Sequence, residues 1–100
     1  MEKKKAHYSL SAVKALVARN GLQVFTATAR SGFMGMGLSA QEALAVVASL
    51  SGNMLFKSMT THTDHQLWQD VYHAPCPNGK TAYIKLTMQD GAVVIQFKEK

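Results

Sequence analysis

The chain has 100 residues, 47% apolar and 17% charged, which suits one globular domain over residues 1–100 with a single core. No apolar run approaches the roughly 18 residues of a membrane span, and no apolar stretch follows the charges of Met1-Glu2-Lys3-Lys4-Lys5 as it would in a secretory signal. The single cysteine, Cys76, excludes an internal disulfide framework and an all-cysteine zinc site, so a reduced, cytoplasmic setting is expected. Eleven basic residues against six acidic give a net charge of +5, concentrated in residues 1–50, which hold six basic and two acidic residues. That balance permits a nucleic-acid partner without requiring one. The Lys3–Lys5 run reads more simply as a solvated, frayed terminus.

Ser9 is placed to cap a helix running to about Arg19, with Leu10, Val13, Leu16 and Val17 on one stripe. Asn20-Gly21 is a stop signal, since glycine accepts the left-handed conformation that closes a helix. Leu22 to Ala27 has the composition of a strand. Arg30 to Leu38 contains Gly32, Gly35 and Gly37, which predicts a loop packed down by Phe33, Met34 and Met36. Ser39-Ala40-Gln41-Glu42 has the form of a capping box. The helix behind it buries Ala43, Leu44, Val46, Val47 and Leu50, and Ser51-Gly52-Asn53 ends it.

The apolar period then changes to two. Met54–Thr61 and Leu67–His73 read as strands around a polar turn at Thr63-Asp64-His65. Ala74 to Gly79 is a predicted loop, because its two prolines oppose a central strand and Asn78-Gly79 is a turn pair. In Ala82–Gln89, residues Ala82, Ile84, Leu86 and Met88 face one way, and Tyr83, Lys85, Thr87 and Gln89 the other. Asp90-Gly91 is a hairpin turn pair, and Val93, Ile95 and Phe97 then alternate with Val94, Gln96 and Lys98. Helices followed by strands predict an α+β fold, with helices on one face of a mainly antiparallel sheet. The second face, carrying Tyr83, Lys85, Gln96 and Lys98, is left to solvent or to a ligand.

Candidate chemistry is sparse. His7, His62, His65 and His73 titrate in the range used for acid–base work. His62, Asp64 and His65 with His73 offer metal-ligand types, although their spacing matches no strong metal motif and a solvated turn accounts for them better. Trp68 and Tyr72 share a strand face and either stack bases or fill the core. Their parity also puts Asp70 on that face, which calls for a bulge or a strand covered on both sides.

The stretch Lys57-Ser58-Met59-Thr60-Thr61-His62-Thr63-Asp64-His65-Gln66-Leu67-Trp68-Gln69-Asp70-Val71-Tyr72 closely resembles the motility quorum-sensing regulator (MqsR) family of toxins. The resemblance continues in Tyr83-Ile84-Lys85-Leu86-Thr87, in Phe97-Lys98-Glu99-Lys100, in Ser11–Val17 and in Met1-Glu2-Lys3, and is weakest from Phe25 to Leu50. It implies a fold like that of the RelE-type toxins. It also implies an mRNA interferase that cuts single-stranded mRNA at sites beginning GC, typically GCU, without the ribosome. The partner it implies is an antitoxin with a zinc-bound N-terminal domain and a helix-turn-helix DNA-binding domain, so that DNA is met only through the antitoxin.

By the same resemblance the catalytic positions are Lys57, Gln69 and Tyr83, and Phe56, Lys85 and Lys98 contact RNA, with no metal or cofactor. The chain departs from the family pattern at Phe56, where a tyrosine is expected, at His62, where an aromatic is expected, and at His73, where a basic residue is usual. Attack by a 2′-hydroxyl needs a base on that oxygen, donors for the phosphorane oxygens and an acid on the leaving oxygen. A lysine ammonium, ordinarily titrating near ~10.4, suits charge stabilisation or acid work, and a glutamine can only position. The alternative class is a non-catalytic RNA- or DNA-binding regulator that acts with its antitoxin.

Overall fold

A computed structural model describes all of residues 1–100. Strand β1 (Glu2–Lys3) leads into helices α1 (Leu10–Asn20), α2 (Ala27–Gly35) and α3 (Ala40–Ala48), and strands β2 (Leu55–Thr60), β3 (Trp68–Pro75), β4 (Thr81–Gln89) and β5 (Ala92–Glu99) follow. The five strands form one antiparallel sheet in the order β1-β2-β3-β4-β5. The helices pack on one face, and a core of 21 buried residues lies between the layers, including Val13, Phe33, Val47, Tyr72, Ile84, Ile95 and Phe97. This is the α+β arrangement expected from sequence. No helix is long and apolar enough to cross a membrane.

The predicted caps are present. Ser9 accepts from Ala12 N–H at the start of α1, and Ser39 and Glu42 form the reciprocal capping box of α3. Asp90 and Gly91, with φ of 55° and 77°, close the β4–β5 hairpin as a primed turn that matches the strand twist.

Two segments differ from the sequence reading. Residues expected as a loop over Arg30–Leu38 belong largely to α2, capped by Thr26, which accepts from Ala29 N–H. Each glycine has a separate task. A Cβ on Gly32 would collide with the Phe97 carbonyl, so its absence lets α2 press directly onto β5. Gly35 ends the helix, and Gly37, at φ 83°, reverses the chain. The stretch Leu22–Ala27, expected as a strand, is instead a 3₁₀ turn over Gly21–Val24. It is followed by a single parallel rung between Phe25 and Ile95, where Thr26 N–H donates to the Ile95 carbonyl at 3.2 Å. Burial of Val24 and Phe25 overrides their strand propensity.

The N-terminus is not frayed. Glu2 and Lys3 pair with Met59 and Ser58 at the edge of the sheet. The chain then crosses to Asp70, which is 1% exposed and accepts from Ser58 Oγ at 2.5 Å, His7 N–H at 3.0 Å and Tyr8 N–H at 2.9 Å. Tyr8 donates to the Trp68 carbonyl at 2.7 Å, the His7 ring stacks on Trp68 at 5.1 Å, and the Lys3 ammonium lies 4.2 Å from the Trp68 ring centre. Trp68 is therefore covered by the N-terminal segment and Tyr72 by the core, and neither is a free platform for bases. Pro75, placed by sequence in a loop, is the last residue of β3.

Asp70 answers the parity problem of its strand. Both faces of β3 are covered, and its neighbour β2 carries a bulge between Leu55 and Lys57. Asp70→Ala strands three donors with no acceptor, so it is expected to lose about 2–3 kcal/mol of stability. In a domain of this size that lowers Tm by roughly 10–20 °C. A melt within about 3 °C of wild type would show that the latch contributes little.

Candidate functional site

The face of the sheet opposite the helices is built by register. Lys57 stands opposite Val71, Val71 opposite Lys85, and Lys85 opposite Gln96. One step along, His73 faces Tyr83 and Tyr83 faces Lys98. On the other side, Gln69 faces Met59. Val71 shares this outer face yet is fully buried, an apolar floor beneath longer polar side chains.

The bulge in β2 makes Phe56 the extra residue between Leu55 and Lys57. Its ring stacks on His73 with centroids 4.5 Å apart and planes at 20°. The His73 ring in turn lies 5.5 Å from that of Tyr83, and the Lys98 ammonium sits 5.0 Å from the Tyr83 ring centre. A continuous run of contacts thus links Phe56 to Lys98 across the four strands β2 to β5. The ammonium groups of Lys4 and Lys57 each lie 5.5 Å from the Phe56 ring, whose side chain is 44% exposed.

Two clefts flank this run. One, of about 60 Å³, is lined by Tyr83, Lys85, Gln96, Phe97 and Lys98 with Thr28 of α2. The other, of about 250 Å³, lies between β1 and the β2–β3 turn and contains Lys57. So the fold gathers Tyr83, Lys85 and Lys98 in one cleft and puts Lys57 in the second. Gln69 and Phe56 line neither. Lys57 and Tyr83 sit on strands separated by β3, which sets their backbones about 10 Å apart across the sheet. Long side chains can reach inward from both sides of a span of that width.

The Lys57 ammonium is 3.3 Å from Glu2 Oε2, and its side chain is 22% exposed. His73 is held below the usual histidine range, first by burial between rings and then by the nearby Lys100 ammonium. Its Nε2 is buried without a hydrogen-bond partner. Both effects disfavour the imidazolium, and His73 serves the site as a flat ring between Phe56 and Tyr83.

No group of three or more His, Cys, Asp or Glu side chains is placed to hold a metal ion, so His62, Asp64, His65 and His73 do not assemble the metal site weighed from sequence. Sequence reasoning missed Glu2 entirely, since its contact with Lys57 spans 55 residues. Thr28 lies in the first turn of α2, and nothing in its local sequence marks it as lining a cleft with β4 and β5.

Three lysines, a phenol, an amide and an exposed ring on a shallow antiparallel face define a cationic α+β protein suited to an extended polyanion with aromatic parts. The chain belongs to the family described as motility quorum-sensing regulator, toxin of MqsA, whose profile matches residues 5–99. Its relatives include the mRNA interferase toxin MqsR of Escherichia coli (strain K12), 40% identical over 103 residues, with the whole of both chains covered.

Proposed function

We propose that this chain is a toxin acting as an endoribonuclease on single-stranded mRNA, the whole of residues 1–100 serving as one catalytic domain in the cytoplasm. The observation that carries the reading is the common face of Lys57, Gln69, Tyr83, Lys85 and Lys98, in a chain related over its full length to an mRNA interferase. The 2′-hydroxyl attacks the adjacent phosphorus, leaving a 2′,3′-cyclic phosphate and a 5′-hydroxyl. Lys57 offsets charge on the phosphorane oxygens, Tyr83 as phenolate takes the 2′-hydroxyl proton, water protonates the 5′ oxygen as its bond to phosphorus breaks, and Gln69 positions the reacting nucleotide. Lys85 and Lys98 hold flanking phosphates, and Phe56 stacks on a base.

Each part follows from the chemistry of its group. A glutamine does not titrate, so Gln69 can only donate or accept hydrogen bonds. The Lys98 ammonium over the Tyr83 ring brings positive charge to the phenol that must give or take a proton. No protein group in this scheme requires a metal. Sites beginning GC are the proposed targets, and an antitoxin with a zinc-binding N-terminal domain and a helix-turn-helix domain is the proposed partner in a type II system.

The test is incubation of pure protein with a GCU-containing RNA oligomer and excess chelator. Discrete fragments ending in cyclic phosphate are expected. Intact RNA under these conditions would overturn metal-independent cleavage, and retained binding without cleavage would favour the regulator.

A further inference from the structure

The cleft between β1 and the β2–β3 turn is lined by Glu2, Lys57, Met59, Thr60, His62 and His65 among others, and has no task in the scheme above beyond holding Lys57. Its hydroxyl groups are engaged. Thr60 Oγ1 accepts from the Met1 amino group at 3.2 Å, and Thr61 Oγ1 accepts from Asp64 N–H at 2.9 Å and donates to the Asp64 carbonyl at 2.8 Å. His62 and His65 are exposed on one wall, and Met59 supplies apolar surface. Glu2 is the one acidic residue in the lining, and its side chain is 60% exposed.

A carboxylate is an odd fitting in a cleft that serves RNA. At contact distance it repels a second phosphate, and the two cations of the lining already have partners, Lys57 in Glu2 and the Met1 ammonium in Thr60 Oγ1, so this cleft suits the uncharged part of a nucleotide. A carboxylate also only accepts hydrogen bonds, which favours base edges that carry N–H donors. The volume, about 250 Å³, lies below the roughly 300–1,000 Å³ of sites for larger ligands, which fits a single base. Imidazole rings and a thioether are suitable surfaces against which such a base can lie. As an exposed ion pair alone, Glu2 with Lys57 would add little to stability.

We propose that this cleft holds the nucleobase next to the phosphate bound by Lys57, and that Glu2 reads the exocyclic amine of that base. When the phosphate takes the Lys57 ammonium, Glu2 exchanges its lysine partner for the amine. The proposal rests on the RNA reading above and adds to it a subsite and a residue that selects the base.

The experiment measures binding of oligomers made uncleavable by a 2′-deoxy substitution at the scissile nucleotide, varied only in the bases flanking that linkage. Wild type is expected to favour an amine-bearing base about five- to tenfold at one flanking position, cytosine over uracil or guanine over hypoxanthine. Glu2→Ala is expected to reduce that ratio below about twofold, and Glu2→Asp to keep part of it. An unchanged base ratio in Glu2→Ala overturns the proposal. So does an equal gain in affinity for every base, which would mark Glu2 as a mere competitor for Lys57. Because binding needs no chemistry, base selection that depends on Glu2 in a protein that fails to cut RNA would leave the subsite standing and remove the nuclease. Normal cutting with selection indifferent to Glu2 would do the reverse.

Discussion

Lys57→Ala is expected to slow single-turnover cleavage of a GCU oligomer about 10²–10³-fold, the usual cost of losing one donor aimed at developing charge. The phosphorane carries more negative charge on its equatorial oxygens than the ground-state phosphodiester does. An ammonium held against those oxygens therefore stabilises the transition state more than the substrate. The fold should survive the change. Lys57 is partly exposed, its only ion pair is with Glu2 at the sheet edge, and such pairs contribute about 0.2–1 kcal/mol. The check is cleavage measured beside a thermal melt. Wild-type cleavage by this variant would remove Lys57 from the chemistry. A slow but well-folded variant would support its role.

Tyr83→Phe is expected to cost about 10²-fold or more if the hydroxyl transfers a proton. The ring, and with it the contacts to His73 and to the Lys98 ammonium, is kept. The loss is therefore chemical rather than structural, and the melt should stay near wild type. The pH dependence gives a second readout. Phenols and ammonium groups ordinarily titrate near 10, so a rate carried by such groups keeps rising above pH 7. Two histidines would give a bell between about pH 6 and 7 instead. His73 is a poor acid for such a pair, since burial holds it below the usual histidine range, and its buried Nε2 is a poor route for a proton. A bell centred near neutrality and abolished in His65→Ala would replace Tyr83 with a histidine.

The parts of this fold legible in sequence are those where local chemistry and tertiary packing agree. The β4–β5 hairpin alternates strictly, and its Asp90-Gly91 pair supplies the two positive φ values that its turn requires. The α3 capping box is equally local. Helix α2 was illegible for a physical reason. Gly32 is costly to an isolated helix, but it is what admits the Phe97 carbonyl, a neighbour 65 positions away. The N-terminal lysines looked like a solvated tail because nothing local records the Asp70 carboxylate that anchors the chain beyond them. The one visible trace is an acidic residue, Asp70, on the strand face that Trp68 and Tyr72 share.

The candidate site divides in the same way. Tyr83, Lys85 and Lys98 share a face by simple alternation, and the structure lines one cleft with all three. Lys57 and Phe56 depend on the β2 bulge, which alternation does not foresee. The stack of Phe56 on His73 follows from that bulge. It makes two of the three departures noted with the resemblance, Phe56 and His73, a single packed pair.

The order of the sheet has a consequence for how the protein comes into being. Strands β2 to β5 are neighbours in sequence and in space, so the ribosome can lay them down as a meander from one side to the other. Strand β1 leaves the tunnel first but must wait for β2, closing a loop of more than 50 residues before Glu2 can meet Lys57. The face that carries Tyr83, Lys85 and Lys98 is finished later still, because Lys98 comes from β5. The shared face of β2 to β5 is thus incomplete for nearly the whole of synthesis, for want of the last strand.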